Sequence, residues 1–159
     1  MKKEKFNFLQ DHSVHFLEMA LSMDKRTMIH NPDGYGKRTG ECGDTIEIFL
    51  MGTDDTITSV SFNTDGCINT HACANTVAHL AEGKPLENAW EITPEKIAEY
   101  LETLPSSQFH CAELAVGALY LALSNFRENA KAPWKKLYHN KTCFNHVSNV
   151  SNVSNVSSV

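Results

Sequence analysis

Residues 45 to 62, TIEIFLMGTDDTITSVSF, decide the fold. Two β-type runs, at residues 45 to 51 and 56 to 62, flank the turn sequence GTDD, and this pattern predicts an antiparallel hairpin. A cysteine stands just outside each end of the hairpin, Cys42 before the first strand and Cys67 after the second. Because these positions lie at the same edge of an antiparallel pair, we expect the two side chains to be able to converge.

The composition narrows the classes of function. The chain has 159 residues, enough for one domain with a core and too few for two comfortable ones. A net charge of -5 argues against nucleic acid or an anionic membrane as a partner, and no run of about 18 apolar residues is present to span a membrane. The polar residues in FNFLQDH, at positions 6 to 12, break any signal-peptide core, so we expect a cytoplasmic protein. Five cysteines in a reducing compartment favour metal binding or reactivity over disulfides.

Apolar spacing and capping residues predict helices on both sides of the hairpin. They cover residues 14 to 23, 70 to 80, 93 to 101 and about 108 to 129, and a short segment at 86 to 90 follows the second of them. The sequence NPDGYG, at residues 31 to 36, is typical of a turn that ends the N-terminal region. The chain therefore combines helices with a small antiparallel sheet.

Candidate metal ligands come from three motifs, GECGD at residues 40 to 44, DGC at 65 to 67 and FHCAE at 109 to 113. Thiolate is the soft ligand that holds iron–sulfur clusters and zinc. Glycines beside the first cysteine and before the second let the backbone bend around a bound group. A carboxylate and an imidazole join the thiols, so that a four-ligand site has five candidates: Cys42, Asp44, Cys67, His110 and Cys111.

Cys111 falls in the first turn of the last predicted helix. Unpaired backbone N–H groups in a first turn favour a thiolate, so we expect the pKa of Cys111 to be lowered. Two further soft groups follow Cys67. We expect Cys73 to pack in the core and His71 to lie on the surface.

The three motifs, in this order and with these elements between them, resemble the iron–sulfur cluster scaffold family of IscU and the N-terminal domain of NifU. The resemblance covers roughly residues 31 to 126. The segments GKPLENA at residues 83 to 89 and ITPEKI at 92 to 97 are also similar to the family's linking segment.

The resemblance implies a scaffold and carrier, not a turnover enzyme. Such a scaffold assembles a transient 2Fe-2S cluster from an iron donor and from sulfur that a cysteine desulfurase delivers, and it passes the cluster to recipient apo-proteins. Cys42, Cys67 and Cys111 match the ligand cysteines, Asp44 matches the acid that aids ligation or release, and His110 matches the alternative fourth ligand. We predict that Cys111 is the main sulfur acceptor.

The same resemblance completes the predicted architecture. The fold class is α+β, with a small, mainly antiparallel three-stranded sheet packed against about four to five helices and the cluster site at one exposed tip. The predicted organisation is an N-terminal helical segment at residues 1 to 30 and a scaffold domain at 31 to 130. A basic, then low-complexity tail at 131 to 159 is expected to be disordered.

One departure from the family and one agreement with it refine the expected partners and branch. The Leu-Pro-Pro-Val-Lys segment that the dedicated chaperone grips is Leu-Pro-Ser-Ser-Gln here, at residues 104 to 108, which argues against recognition by that chaperone. The interval between Cys67 and Cys111 lacks the long insertion of the zinc-bearing SufU branch, which favours the IscU and NifU branch.

The alternative is a zinc protein, structural or hydrolytic, that uses the same three cysteines with Asp44 or His110. Zinc accepts three thiolates and one nitrogen or oxygen in a tetrahedron. Three thiolates leave little Lewis acidity, and no His-x-Glu or His-Glu-x-x-His motif supplies a base for hydrolysis. Zinc can also occupy a scaffold site that holds no cluster.

Overall fold

The computed structural model describes residues 7 to 134 and has an α+β fold, as predicted. Its sheet is antiparallel with the strand order β1-β2-β3, where β1 is Gly34–Thr39, β2 is Thr45–Thr53 and β3 is Thr56–Thr64. The described part of the chain contains six α-helices: α1 Phe8–Asp11, α2 Val14–Leu21, α3 Ile68–Ala81, α4 Leu86–Ala89, α5 Pro94–Leu101 and α6 Phe109–Lys131. The sequence predicted α2, α3, α5 and α6; α1 was missed, and α4 lies in the short segment at residues 86 to 90 for which no helix was predicted.

The predicted hairpin is confirmed as β2 and β3. Ile48 pairs with Phe62 and Leu50 with Val60, so that apolar side chains of both strands share the inner face of the sheet. The turn has two residues rather than four, because the strands extend to Thr53 and Thr56. Asp54 and Asp55 take φ angles of 50° and 58°, the left-handed backbone that fits a two-residue turn to the twist of the strands.

The interpretation of residues 31 to 36 as a turn is wrong for its second half, where β1 begins at Gly34. The glycines serve close packing instead of chain reversal. A Cβ atom at Gly34 would lie 2.6 Å from the carbonyl oxygen of Ala122, and one at Gly36 would overlap the backbone of Ala118 and Ala122. Helix α6 therefore lies directly on the backbone of β1, a contact that only glycine permits.

The helices cover one face of the sheet. Helix α3 is buried along most of its length between the sheet, α2 and α6. Phe16 of α2 is fully buried in the core, and the side-chain amide of Asn75 on α3 donates hydrogen bonds to the carbonyl oxygens of Met19 and Ser22. The N-terminal helix α2 is thus packed onto the rest of the fold.

The stretch Ser106–Lys131 is long and apolar enough to cross a membrane when judged by length and composition alone. The core helix of a globular protein passes the same test, and 56% of the apolar window is buried inside this fold. Helix α6 packs against β1, β2, α3 and α5. We therefore interpret it as a core helix.

Some predicted features fall outside the described residues. The structure describes the predicted tail, residues 131 to 159, only as far as residue 134. Helix α6 ends at Lys131, the first residue of that tail. The first six residues of the predicted N-terminal segment also lie outside. The predicted domain boundaries stay a prediction.

The contact between β1 and α6 predicts the effect of Gly36→Ala. The added methyl group would meet backbone atoms of α6 that cannot rotate away, so we expect the free energy of unfolding to fall by about 3 kcal/mol. Urea denaturation followed by circular dichroism measures the change. Lys37→Ala, on the exposed side of the same strand, is the control and should change stability by less than about 0.5 kcal/mol. Equal stabilities of the Gly36 and Lys37 variants would contradict the direct backbone contact.

Candidate metal centre

Three segments meet at one end of the sheet, and the predicted hairpin accounts for two of them. They are the loop of residues 40 to 44 between β1 and β2, the residues between β3 and α3, and the start of α6. The loop is closed by hydrogen bonds from the Gly40 N–H to the Asp44 carbonyl oxygen at 2.9 Å and from the Gly43 N–H to the Gly40 carbonyl oxygen at 3.0 Å. Asp65 Oδ1 accepts a 2.7 Å hydrogen bond from the Thr45 N–H, which ties the segment before Cys67 to the start of β2.

Thr70, in the first turn of α3, lies at the centre of this end of the molecule. Its side chain is fully buried, and its Oγ1 donates a hydrogen bond of 2.7 Å to Asp44 Oδ2. The same oxygen is 3.5 Å from Cys67 Sγ and 3.3 Å from Cys111 Sγ. Three of the five predicted ligand groups are therefore gathered around one hydroxyl.

Cys42 and His110 lie beside this group. Both side chains are exposed, and they line the same surface cavity of about 580 Å³ together with Arg38 and Glu113. His110 Nδ1 lies 3.1 Å from the Ser107 carbonyl oxygen, which can only accept, so Nδ1 carries the proton. In the neutral ring, Nε2 then has a free lone pair 3.6 Å from Cys111 Sγ.

The gathered groups surround a hydroxyl and are not yet spaced as ligands. Within residues 7 to 134, no three His, Cys, Asp or Glu side chains are close enough to hold one metal ion together. Metal–thiolate bonds are about 2.3 Å long. Binding at this end of the sheet therefore requires the Thr70 hydroxyl to leave the centre or the ligand atoms to move around it.

Cys67 and Cys111 differ in exposure and in electrostatics. Partial burial raises the pKa of Cys67, but hydrogen bonds from the Thr70 hydroxyl and from the backbone N–H groups of Asn69 and Thr70 outweigh it, so the pKa is lowered overall. Cys67 is the N-cap residue of α3, which explains the donors, and it is exposed.

The predicted lowering of the Cys111 pKa is wrong. Burial raises the pKa of this thiol, and the neighbouring Cys67, Cys42 and Asp44 add to the rise, while the hydrogen bond with Thr70 opposes it. Cys111 does lie in the first turn of α6, as predicted, but that turn is packed inside the fold and the sulfur has no exposed surface. Desolvation outweighs the favourable end of the helix here.

The two further soft groups also have defined places. Cys73 is fully buried in the core, as predicted, and burial raises its pKa well above the ordinary value. The predicted surface position of His71 is wrong, because its side chain is only 5% exposed. Its ring packs edge-on against Phe62, and its Nε2 lies 2.9 Å from the Ser22 carbonyl oxygen. His71 therefore joins α2 to α3 instead of facing the candidate ligands.

Comparison with known proteins settles the family. The family model of the NifU-like N-terminal domain matches residues 28 to 133, which is most of the chain. The chain belongs to the NifU-like N-terminal domain family.

The chain is similar in sequence to iron–sulfur cluster assembly scaffolds and in structure to a NifU-like protein. The chain is 36% identical over 105 residues to the iron–sulfur cluster assembly scaffold protein IscU 1 of Archaeoglobus fulgidus, a match that covers 65% of this chain and 69% of the relative. It is also 36% identical over 94 residues to the IscU scaffold protein of Rickettsia prowazekii, covering 57% and 71% of the two chains. The crystal structure of a NifU-like protein (N-terminal) from Brucella abortus has the same fold, with a TM-score of 0.62 at 16% identity over 77% of this chain and 99% of that one.

Two residues at this end of the NifU-like domain were missed from the sequence. Thr70 lies three residues after Cys67, the helical spacing that places both side chains on one face, and this signal could have found it. Arg38 reaches across α6 at Gly117, where a Cβ atom would overlap its guanidinium group. No signal in the sequence near Arg38 reveals this contact, because Gly117 is 79 positions away.

The different environments of two cysteines predict their order of alkylation. In the metal-free, reduced protein, iodoacetamide should modify Cys67 faster than Cys111 at neutral pH, because thiolate is the reactive form and Cys67 is exposed. The pH at which the alkylation rate is half-maximal should lie below the ordinary thiol pKa for Cys67 and above it for Cys111. Peptide mass spectrometry after timed quenching measures both rates, and the urea-unfolded protein, in which the two should react alike, is the control. Faster modification of Cys111 in the folded protein would contradict these assignments.

Proposed function

We propose that the protein is a scaffold on which an iron–sulfur cluster is assembled and from which the cluster passes to recipient apo-proteins. The observation that carries the proposal is the gathering of Asp44, Cys67 and Cys111 around one hydroxyl, beside exposed Cys42 and His110. The relatives named above are cluster assembly scaffolds, which supports this role over the zinc alternative.

The donor set fits a cluster as cargo. Three thiols are the soft ligands that iron–sulfur clusters require, and a 2Fe-2S cluster has four terminal ligand positions. We assign these positions to Cys42, Cys67 and Cys111, with Asp44 or His110 in the fourth. Zinc can fill the same positions when no cluster is present, so metal has to be removed before any test.

Exposure of the site suits transfer. Cys42 and Cys67 are exposed at the end of the sheet, where thiols of a recipient protein can approach. The carboxylate of Asp44 is a harder ligand than thiolate and is more weakly matched to iron in a sulfur-rich site. It can therefore leave first and open one coordination position to the recipient.

Cys111 is the proposed acceptor of sulfur from a cysteine desulfurase. Its Sγ lies 3.6 Å from His110 Nε2, a base that can take the thiol proton. The resulting thiolate attacks the outer sulfur of the desulfurase persulfide, a bond forms between that sulfur and Cys111, and the desulfurase cysteine leaves as a thiolate. Because Cys111 is buried, the exchange requires the residues that cover its sulfur to move aside.

The remaining partners follow from this role. An iron donor supplies the metal, and the protein acts as a carrier without turnover chemistry of its own. The thiols have to stay reduced, which is consistent with work in the cytoplasm. Because residues 104 to 108 read Leu-Pro-Ser-Ser-Gln, we expect no binding by a chaperone that requires Leu-Pro-Pro-Val-Lys.

One reconstitution experiment tests the proposal. Metal-free protein is incubated anaerobically with ferrous iron, cysteine and a desulfurase, and apo-ferredoxin is then added while circular dichroism is recorded. We expect wild type to form a cluster and transfer it. Asp44→Ala should form a cluster but transfer it several-fold more slowly, because the exchangeable ligand is missing.

Cys111→Ser and Cys67→Ser are the matched variants for the sulfur step. Mass spectrometry after desulfurase and cysteine, without iron, should find added sulfur on the Cys111 peptide of wild type and of Cys67→Ser, but little in Cys111→Ser. Equal sulfur uptake by Cys111→Ser would refute the acceptor assignment. Absence of any cluster in wild type would refute the scaffold function.

A further inference from the structure

The Thr70 hydroxyl has more partners than it has protons. A hydroxyl carries one hydrogen and two lone pairs. Asp44 Oδ2 can only accept when ionised and is the nearest partner, at 2.7 Å, so the hydroxyl donates to it. Cys111 Sγ, at 3.3 Å, is a second acceptor for the same hydrogen, because the Cys111 S–H itself is directed to Gln108 Oε1. Cys67 Sγ lies at 3.5 Å, where either atom can donate. One hydroxyl therefore contacts three candidate ligands, and two of them accept the same hydrogen.

The chain before Cys67 is shaped around the same contact. A Cβ atom at Gly66 would lie 2.7 Å from Thr70 Cβ and 2.8 Å from Asp44 Oδ2. Any side chain at position 66 would therefore force apart the residues that the hydrogen bond joins. Thr70 Cβ belongs to a helix and cannot rotate away, so the glycine is needed for the approach of Asp44 to Thr70.

We propose that Thr70 is a positioning residue: in the empty protein its hydroxyl holds Asp44, Cys67 and Cys111 around the place that the metal takes, and loading displaces it. This inference rests on the proposed function, since it takes those three residues as ligands. The hydroxyl acts through its neighbours and does not itself bind the metal.

Rotation about one bond is enough for the displacement. Threonine in a helix divides between two χ1 rotamers, because its hydroxyl can also bond a carbonyl oxygen three or four residues earlier. For Thr70 those carbonyl groups belong to Cys67 and Gly66. A hydroxyl that turns toward them leaves the centre of the three ligand groups, which are already close together when the metal arrives.

The hydroxyl competes with the metal for the same three groups. Its contacts stabilise the empty site and are broken when the metal binds, so they subtract from the free energy of binding. Removing the hydroxyl while leaving the thiols and the carboxylate intact should therefore tighten binding of any metal that uses them.

Cobalt(II) titration of the metal-free protein tests the inference without any cluster assembly. Thiolate-to-cobalt absorption in the near ultraviolet reports on sulfur ligation as well as affinity. The matched variants are Thr70→Ser and Thr70→Ala, which both lack the methyl group and differ in one oxygen. We expect Ser to bind cobalt within about twofold of wild type and Ala to bind about tenfold more tightly, because binding no longer has to break one hydrogen bond to a charged group. In an Asp44→Ala background the difference between Ser and Ala should shrink.

Circular dichroism checks that each variant is folded. Equal or weaker binding by Thr70→Ala than by Thr70→Ser would overturn the role of Thr70 alone. Absence of thiolate-to-cobalt absorption in wild type would overturn both the ligand set and this inference.

Discussion

The direct contact between β1 and α6 is the constraint on which the rest of the structure depends. Two glycines in β1 let the backbone of α6 lie on the strand, opposite Ala118 and Ala122. Strand and helix run in opposite directions, because Gly34 meets the later part of α6 and Gly40, past the end of β1, meets Leu114. This alignment carries the loop with Cys42 to the start of α6, where Cys111 and His110 are found.

The hairpin and α3 bring the remaining groups to the same place. Residue 44 precedes β2 and residue 67 follows β3, so antiparallel pairing alone returns both to one edge of the sheet. Thr70 then joins the two sides, since its hydroxyl contacts Asp44 from the loop and Cys111 from α6. The centre is thus held by packing along β1 and by the contacts of a single hydroxyl at its middle. This combination leaves Cys42 and Cys67 exposed.

The sequence predicted those parts of the fold that local patterns encode. Strand alternation revealed β2 and β3, and a threonine followed by proline marked the start of α5, where Thr93 Oγ1 accepts a hydrogen bond from the Lys96 N–H. A third strand was expected from the family resemblance, but the position of β1 was missed because its glycines look like turn residues. Their role becomes visible only when α6 is packed against them. The pKa of Cys111 and the burial of His71 were mispredicted for a similar reason: both depend on which neighbour covers them.

The proposed function makes a specific claim about the bound cluster: its two irons would have different ligands. Two of the cysteines would hold one iron, and the third cysteine with Asp44 or His110 would hold the other. Mössbauer spectroscopy of the protein reconstituted with iron-57 tests this most directly. The account predicts two quadrupole doublets of equal area with different parameters, one for an iron with sulfur ligands only and one for an iron with an oxygen or nitrogen ligand. A single doublet from two identical all-sulfur sites, or a spectrum of isolated iron without a cluster, would contradict it.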